Sequence, residues 1–193
     1  MQHELFERPP LRLPPGMRYC EDFLSSDEEA ALLAQIAELP LHEARYKSYT
    51  ARRRIASFGT QYDYDDHRLL PAAPIADFLL PLRERIAHWA GVAPHAFGNA
   101  LVAEYRPGTP LGWHRDVPDY ELVAGVSLAA PARMRLRRYP PEHARKKDVL
   151  TLALEPRSAY LLQGVARWGW QHSIAPTKAL RYSITFRTRR VPA

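Results

Sequence analysis

The segment Trp113-His114-Arg115-Asp116 carries an imidazole and a carboxylate two positions apart. On a β-strand, residues i and i+2 share a face, so both side chains can reach one metal ion. Alone, the pair reads equally as a surface histidine and aspartate beside a turn. A third candidate ligand, His172, sits in the aromatic and otherwise apolar stretch Trp168-Gly169-Trp170-Gln171-His172-Ser173-Ile174. Alone, it reads as a hydrogen-bonded core histidine. Taken together, two histidines and one carboxylate from separate strands form the ligand set of non-haem Fe(II) oxygenases. That set leaves three coordination positions for a co-substrate and dioxygen.

Two arginines suggest what the co-substrate is. Arg181 and Arg187 lie in Arg181-Tyr182-Ser183-Ile184-Thr185-Phe186-Arg187, and their even separation puts both on one face of a strand. Inward arginines need anionic partners, because an unpaired buried charge is costly. The guanidinium fork matches a carboxylate, so a dicarboxylate such as 2-oxoglutarate satisfies the need. The competing reading is a basic edge strand, since Arg189 and Arg190 follow.

These side chains must be positioned by short elements. The chain has 193 residues, 18 of them proline and 9 glycine, which suits one domain of short strands and disfavours a long helical bundle. Ser26 and Glu29 read as a capping box opening a helix to about Glu38. Pro81 belongs in the first turn of a second helix ending at Gly91. Met17–Leu24 reads as a short strand and Arg52–Tyr64 as a strand-like run. From Asn99 onward the texture becomes strands: Ala100–Tyr105, Glu121–Ala129, Ala132–Tyr139, Val149–Leu154, Ser158–Leu162 and Leu180–Thr188. Helices first and strands last imply an α+β arrangement with an antiparallel sandwich or barrel. Pro9 to Gly16 reads as an extended leader.

Several classes are excluded or disfavoured. One cysteine, Cys20, allows no internal disulfide and no Cys-rich zinc site. With no apolar leader at Met1–Glu7, a cytoplasmic location is expected. No apolar run approaches about 18 residues, so no membrane association is expected. A monomer is the expected state. Charge is unevenly spread. Residues 1–130 hold 13 Lys and Arg against 18 Asp and Glu, a net −5, whereas residues 131–193 hold 14 against 3, a net +11. A basic last third suggests a polyanionic partner such as nucleic acid, or else a solvated surface.

The order Tyr105-Arg106-Pro107-Gly108, His114-x-Asp116, Val126-Ser127-Leu128, Arg167 to His172, then Arg181 and Arg187 resembles the AlkB-type Fe(II)/2-oxoglutarate dioxygenases over residues 99–190. Arg52-Arg53-Arg54-Ile55-Ala56-Ser57-Phe58-Gly59, with Tyr62 and Tyr64, resembles that family's nucleotide-recognition strands. The resemblance implies a double-stranded β-helix (jelly-roll) core at 99–193, preceded by N-terminal helices and a nucleotide-recognition lid within 1–98 of the same structural unit. It implies Fe(II) held by His114, Asp116 and His172, with 2-oxoglutarate and O2 as co-substrates. By the same resemblance, Arg181 pairs with the distal carboxylate of 2-oxoglutarate and Tyr105 hydrogen-bonds the co-substrate. Arg187 lies near the iron end or the substrate. Ala103 and Ser183 stand where the founding member carries asparagines. Val117 and Pro118 follow the aspartate where relatives often have an acidic residue.

The activity implied is oxidative dealkylation of N-alkylated bases in DNA or RNA, releasing succinate, CO2 and an aldehyde. Alternatives are a tRNA-modifying hydroxylase or demethylase of the same family, and oxidation of a protein side chain. A reading from another class is a basic jelly roll that binds nucleic acid without catalysis. A target base must leave its stack to be reached. Tyr62, Tyr64 and Trp170 are candidates to clamp it by stacking. Arg52, Arg53 and Arg54 and the ladder Arg133, Arg135, Arg137 are candidates for the phosphate backbone, along with Arg145-Lys146-Lys147.

Overall fold

A computed structural model describes residues 12–46, 49–141 and 148–191. Most of the leader's first residues and the Arg145-Lys146-Lys147 cluster lie outside the described residues. In chain order the first half forms β1 (Met17–Cys20), α1 (Ser26–Ala37), β2 (His42–Tyr46), β3 (Tyr49–Phe58), β4 (Thr60–Asp63), β5 (Arg68–Pro71) and α2 (Leu80–Ala90). The second half forms β6 (Phe97–Tyr105), β7 (Leu111–His114), β8 (Tyr120–Leu128), β9 (Ala132–Arg138), β10 (Leu150–Leu154), β11 (Ala159–Leu162), α3 (Gly164–Trp168), β12 (Trp170–Ile174) and β13 (Arg181–Arg189).

Two antiparallel sheets face each other in a double-stranded β-helix. The larger has seven strands in the order β1-β11-β8-β13-β6-β3-β2, and the smaller has four in the order β10-β9-β12-β7. The expectation of helices first and strands last is therefore incomplete. β1, β2 and β3 all precede residue 98 and all belong to the large sheet. The first half therefore contributes three strands to the core sheet.

The side-chain alternation of strands sorts residues between two apolar layers. Leu122, Ala124, Val126 and Leu128 of β8, with Ile184 and Phe186 of β13, face Leu32 and Ile36 of α1 and Leu82 and Ile86 of α2. Val123 of β8 faces the other way, joining Met134, Leu136, Leu162, Trp170 and Ile174 between the sheets. Burying each large aliphatic side chain stabilises by roughly 1.5–3 kcal/mol. β8 is apolar on both faces because both are covered.

The helix starts follow their local chemistry. The capping box of α1 is Ser25 with Glu28, one residue earlier than the sequence suggests. Ser25 Oγ accepts from the Glu28 N–H at 3.2 Å, and the Ser25 N–H donates to Glu28 Oε2 at 2.8 Å. α2 carries Pro81 in its first turn and stops at Gly91, as expected. The run Arg52–Tyr64 is broken at Gly59, whose φ is +74°. A side chain there would overlap the Gly98 carbonyl. The break ends β3 and sends β4 into a separate two-stranded hairpin with β5. Among the described residues, no helix is long and apolar enough to cross a membrane.

Candidate metal and co-substrate site

β7 pairs with β12 so that His114 lies directly opposite His172, with ring centroids 4.2 Å apart. Asp116 comes from the loop after β7, since the strand ends at His114. His114 and Asp116 therefore do not share one strand face, as the His-x-Asp spacing suggests. The carboxylate still arrives, and one ligand atom from each of His114, Asp116 and His172 falls within 4.8 Å of the others.

Neighbouring groups fix all three. The His114 Nδ1–H donates to the Gly112 carbonyl at 2.9 Å, which leaves Nε2 as the free lone pair. Burial depresses the His114 imidazole and lowers that of His172 to about 3, with His114 beside it contributing. Both rings are neutral near pH 7, as metal ligands must be. Burial alone would raise the Asp116 carboxyl, but the Arg187 charge leads a set of neighbours that holds it well below the usual range. The 3.8 Å approach of His172 Nε2 to Asp116 Oδ2 is thus a neutral ring beside a carboxylate, not an ion pair.

Arg187 Nε donates to Asp116 Oδ1 at 2.7 Å, and its Nη1 donates to Asn99 Oδ1 at 3.0 Å. Arg187 therefore orients the aspartate directly, a sharper position than sequence reasoning could assign. Arg167, 2% exposed, donates from Nη2 to the carbonyls of Asp116, Val117 and Tyr120 at 3.1, 2.8 and 2.7 Å. It pins the loop that delivers the carboxylate. In the sequence Arg167 stands out only within a motif and Asn99 only as the start of a strand. A charged residue inside the apolar segment around Trp168 was the available signal for Arg167.

Arg181 lies deeper on the same face of β13. It is 2% exposed, its Nε donates to Ser127 Oγ at 3.1 Å, and its guanidinium sits 4.9 Å from the centre of the Tyr105 ring. Its Nη1 is buried without a partner among the described residues. An orphaned guanidinium nitrogen is costly unless an acceptor reaches it, and a carboxylate fits that need. Tyr105 is hydrogen-bonded by Arg53 and Ser183. Burial pushes its phenol up, but the charges of Arg53 and Arg181 and these hydrogen bonds bring it below its ordinary value.

The expected substrate contacts divide. Tyr62 and Tyr64 stack edge-on with centroids 5.0 Å apart. Burial raises the Tyr64 phenol, and Arg53, Arg187 and Asp116 all act on it, so it borders the metal-ligand cluster. The hairpin is tied down by Tyr120 Oη to Thr60 Oγ1 at 2.9 Å and by Asn99 Nδ2 to the Thr60 carbonyl at 2.7 Å. Trp170 packs in the apolar layer between the sheets. The three consecutive arginines separate: Arg52 is exposed, Arg53 is buried beside Tyr105, and Arg54 grips Glu104 through two bonds of 2.7 and 2.8 Å. Arg53 and Arg54 thus have partners within the chain. Arg133, Arg135 and Arg137 alternate with buried Met134 and Leu136, so their ladder lies on the outer face of the small sheet. There Arg135 reaches Ser173 Oγ at 3.0 Å, Arg137 reaches Gln171 Oε1 at 2.8 Å, and both cover the Trp113 ring.

A double-stranded β-helix with two neutral histidines, an ionised aspartate and a buried arginine between its sheets defines a metal-dependent oxygenase. The family model for the 2OG-Fe(II) oxygenase superfamily matches residues 16–190, and the chain belongs to that superfamily. As a member it is a 2-oxoglutarate-dependent dioxygenase using Fe(II), 2-oxoglutarate and O2, and the proteins it resembles are AlkB homologues. It is 30% identical over 183 residues to the Arabidopsis thaliana protein named Alkylated DNA repair protein ALKBH8 homolog, covering 83% of this chain and 51% of that one. It is 25% identical over 172 residues to the Xenopus tropicalis tRNA (carboxymethyluridine(34)-5-O)-methyltransferase alkbh8, covering 86% of this chain and 26% of that one. The chain thus spans about half and a quarter of those two relatives. The solved structure of OsALKBH1 superposes with a TM-score of 0.72 at 16% identity, covering 93% of this chain and all of that one.

Proposed function

We propose that the chain oxidatively dealkylates N-alkylated bases in nucleic acid, with His114, Asp116 and His172 holding Fe(II). Arg181 takes the distal carboxylate of 2-oxoglutarate beside Tyr105 and Ser183. Bound iron with 2-oxoglutarate and O2 supplies hydroxylation of a C–H bond, and a hydroxylated N-methyl group leaves as formaldehyde. The chain's own residues supply placement. Arg187 and Arg167 hold Asp116 at a single orientation. The Gly112 carbonyl keeps the His114 proton on Nδ1. The sheets exclude water from the arginine end.

The observation that carries the substrate class is the aromatic pair Tyr62 and Tyr64 on a hairpin beside the metal-ligand cluster. Stacked tyrosines at the edge of an oxidising centre suit a flat, unstacked base. The names of the relatives, which speak of alkylated DNA and of tRNA, support the same class.

The test is incubation with Fe(II), 2-oxoglutarate and N-methylated oligonucleotides, read by succinate release and mass spectrometry. We expect loss of a methyl group coupled to succinate. Succinate without any change in nucleic acid, across DNA, RNA and tRNA, would overturn the nucleic-acid reading. Asp116→Ala should abolish turnover while leaving oligonucleotide affinity largely intact. Equal loss of binding would reassign the residue.

A second reading, oxidation of a base in tRNA, is favoured by the Arg53-Arg54-Ile55-Ala56-Ser57-Phe58-Gly59 segment and by the tRNA activity in the name of the Xenopus relative. Gain of oxygen on a tRNA nucleoside, in place of methyl loss, would select it.

A further inference from the structure

The hairpin that carries Tyr62 and Tyr64 is built apart from both large layers. Among the described residues β4 and β5 pair only with each other, and no residue of either strand is buried. Backbone bonds from Gly59 to Ala72 and Ala73 close its base. Two buried side chains of the core also reach it, and both reach Thr60. Asn99 of β6 donates from Nδ2 to the Thr60 carbonyl at 2.7 Å, and Tyr120 of β8 bonds Thr60 Oγ1 at 2.9 Å.

Both of these side chains also touch Arg187. Asn99 lies opposite Arg187 in the pairing of β6 with β13 and accepts from its Nη1 at 3.0 Å. The Tyr120 ring centre lies 5.4 Å from the Arg187 guanidinium. Arg187 in turn donates to Asp116 Oδ1 at 2.7 Å. Direct hydrogen bonds therefore run from Thr60 to Asn99, from Asn99 to Arg187 and from Arg187 to Asp116, joining the hairpin to a metal ligand.

The side-chain amide of Asn99 suits the middle of this chain. Arg187 can only donate and a backbone carbonyl can only accept. Oδ1 must therefore face Arg187, and Nδ2 the carbonyls of Phe58 and Thr60. A carboxylate supplies only the first half and an apolar side chain neither. Asn99 is 4% exposed, so water does not replace either half. Each bond is costly to break in such a place, and a contiguous hydrogen-bonded network of this kind can carry a displacement from one end to the other.

We propose that Asn99 is a positioning residue that couples the substrate hairpin to the metal centre, so that filling the metal site orders the hairpin and a base seated on the hairpin fixes Asp116. The two effects are reciprocal, because one coupling free energy acts on both sites. The inference rests on the assignment of His114, Asp116 and His172 to the metal. It makes no use of the identity of the base.

The experiment is hydrogen–deuterium exchange of the full chain, read by mass spectrometry without metal and at saturating Mn(II), with no nucleic acid present. We expect bound Mn(II) to slow exchange in β7 and β12, which carry the histidines. It should also slow β4 and β5 by about 5-fold or more, the low end of ordinary coupling between sites. Asn99→Asp keeps an acceptor for Arg187 and loses the donors to Phe58 and Thr60. It should retain the slowing in β7 and β12 and lose it in β4 and β5. A merely structural role would speed hairpin exchange equally with and without Mn(II), leaving the metal-dependent ratio at its parental value. Asn99→Leu lacks both halves. It should lose the hairpin response as well and bind Mn(II) about 10-fold more weakly.

A parental ratio in β4 and β5 of Asn99→Asp overturns the proposal. So does a parent chain that binds Mn(II) with no slowing in the hairpin, a comparison that needs no variant to fold. Absence of any Mn(II) binding, with β7 and β12 unchanged, removes the metal-site assignment and this proposal with it. The nucleic-acid reading is decided separately, by turnover of the methylated oligonucleotides.

Discussion

Arg187 and Arg167 act on the same aspartate from different sides. Arg187 bonds the carboxylate itself, whereas Arg167 bonds two carbonyls of the loop that carries it and the Tyr120 carbonyl at the start of β8. A guanidinium can fan toward several acceptors, but an ammonium on a flexible stem cannot hold the same set. We therefore expect Arg167→Met to lower metal affinity or turnover by about 10- to 100-fold, the usual effect of losing a group behind a ligand. Arg167→Lys should recover little of it. Mn(II) titration and succinate release check this, and unchanged values in both would make Arg167 merely a core residue. The ligands themselves were legible from residue type, and the parity of Arg181 and Arg187 from their even spacing. The route by which Asp116 arrives was not legible. β7 ends at His114, and nothing local distinguishes a strand from a loop held by an arginine about fifty residues later.

At the scale of elements, the large sheet is knit by a charged group on its edge-ward side. Glu104 of β6 is 4% exposed and accepts from Arg54 of β3, from Arg106 and from the Tyr182 hydroxyl of β13. The side-chain bonds from Arg54, followed by its charge, hold the Glu104 carboxyl below its ordinary 4.5 despite burial. A depressed carboxylate contributes stability that is present above the ordinary value and is lost as pH falls through the lowered one. We expect Glu104→Gln to cost about 1–3 kcal/mol at pH 7. The low end is favoured because Arg54 is 35% exposed and can turn to water. The gap between parent and variant should narrow as pH drops below 4.5. Urea unfolding at several pH values measures it, and a gap that is constant with pH would refute the role of the charge. Elements themselves were legible where the pattern was long. α2 and β13 follow from Pro81, Gly91 and strict alternation. α3 spans five residues, too few for a helical period to show. The run from Arg52 to Tyr64 looked continuous because strand propensity does not register a single left-handed glycine.

Across the whole molecule, the basic last third turns out to do two kinds of work. Arg167 and Arg181 are buried, and Arg187 is 14% exposed, bonded to Asp116. Arg157 and Arg190 pair with nearby carboxylates on the surface. Arg133, Arg135 and Arg137 differ. Arg133 is exposed, and the partners of Arg135 and Arg137 are Ser173, Gln171 and the Trp113 ring, all neutral. Stacking on an aromatic face and bonding to neutral side chains holds a guanidinium in place without cancelling its charge. The net +11 of residues 131–193 therefore overstates the field available to a polyanion, and the outer face of the small sheet fixes one uncancelled part of it. Each phosphate neutralised by such a residue should contribute about 0.7–0.9 to the slope of log affinity against log salt. We expect Arg133→Gln, Arg135→Gln and Arg137→Gln combined to reduce that slope by about 2 to 3 for an unmodified oligonucleotide, with 2-oxoglutarate affinity unaltered. Fluorescence anisotropy over a salt series checks it. An unchanged slope would leave this face as solvated charge, and would turn attention to the hairpin and to Arg52 as the route by which nucleic acid meets the site.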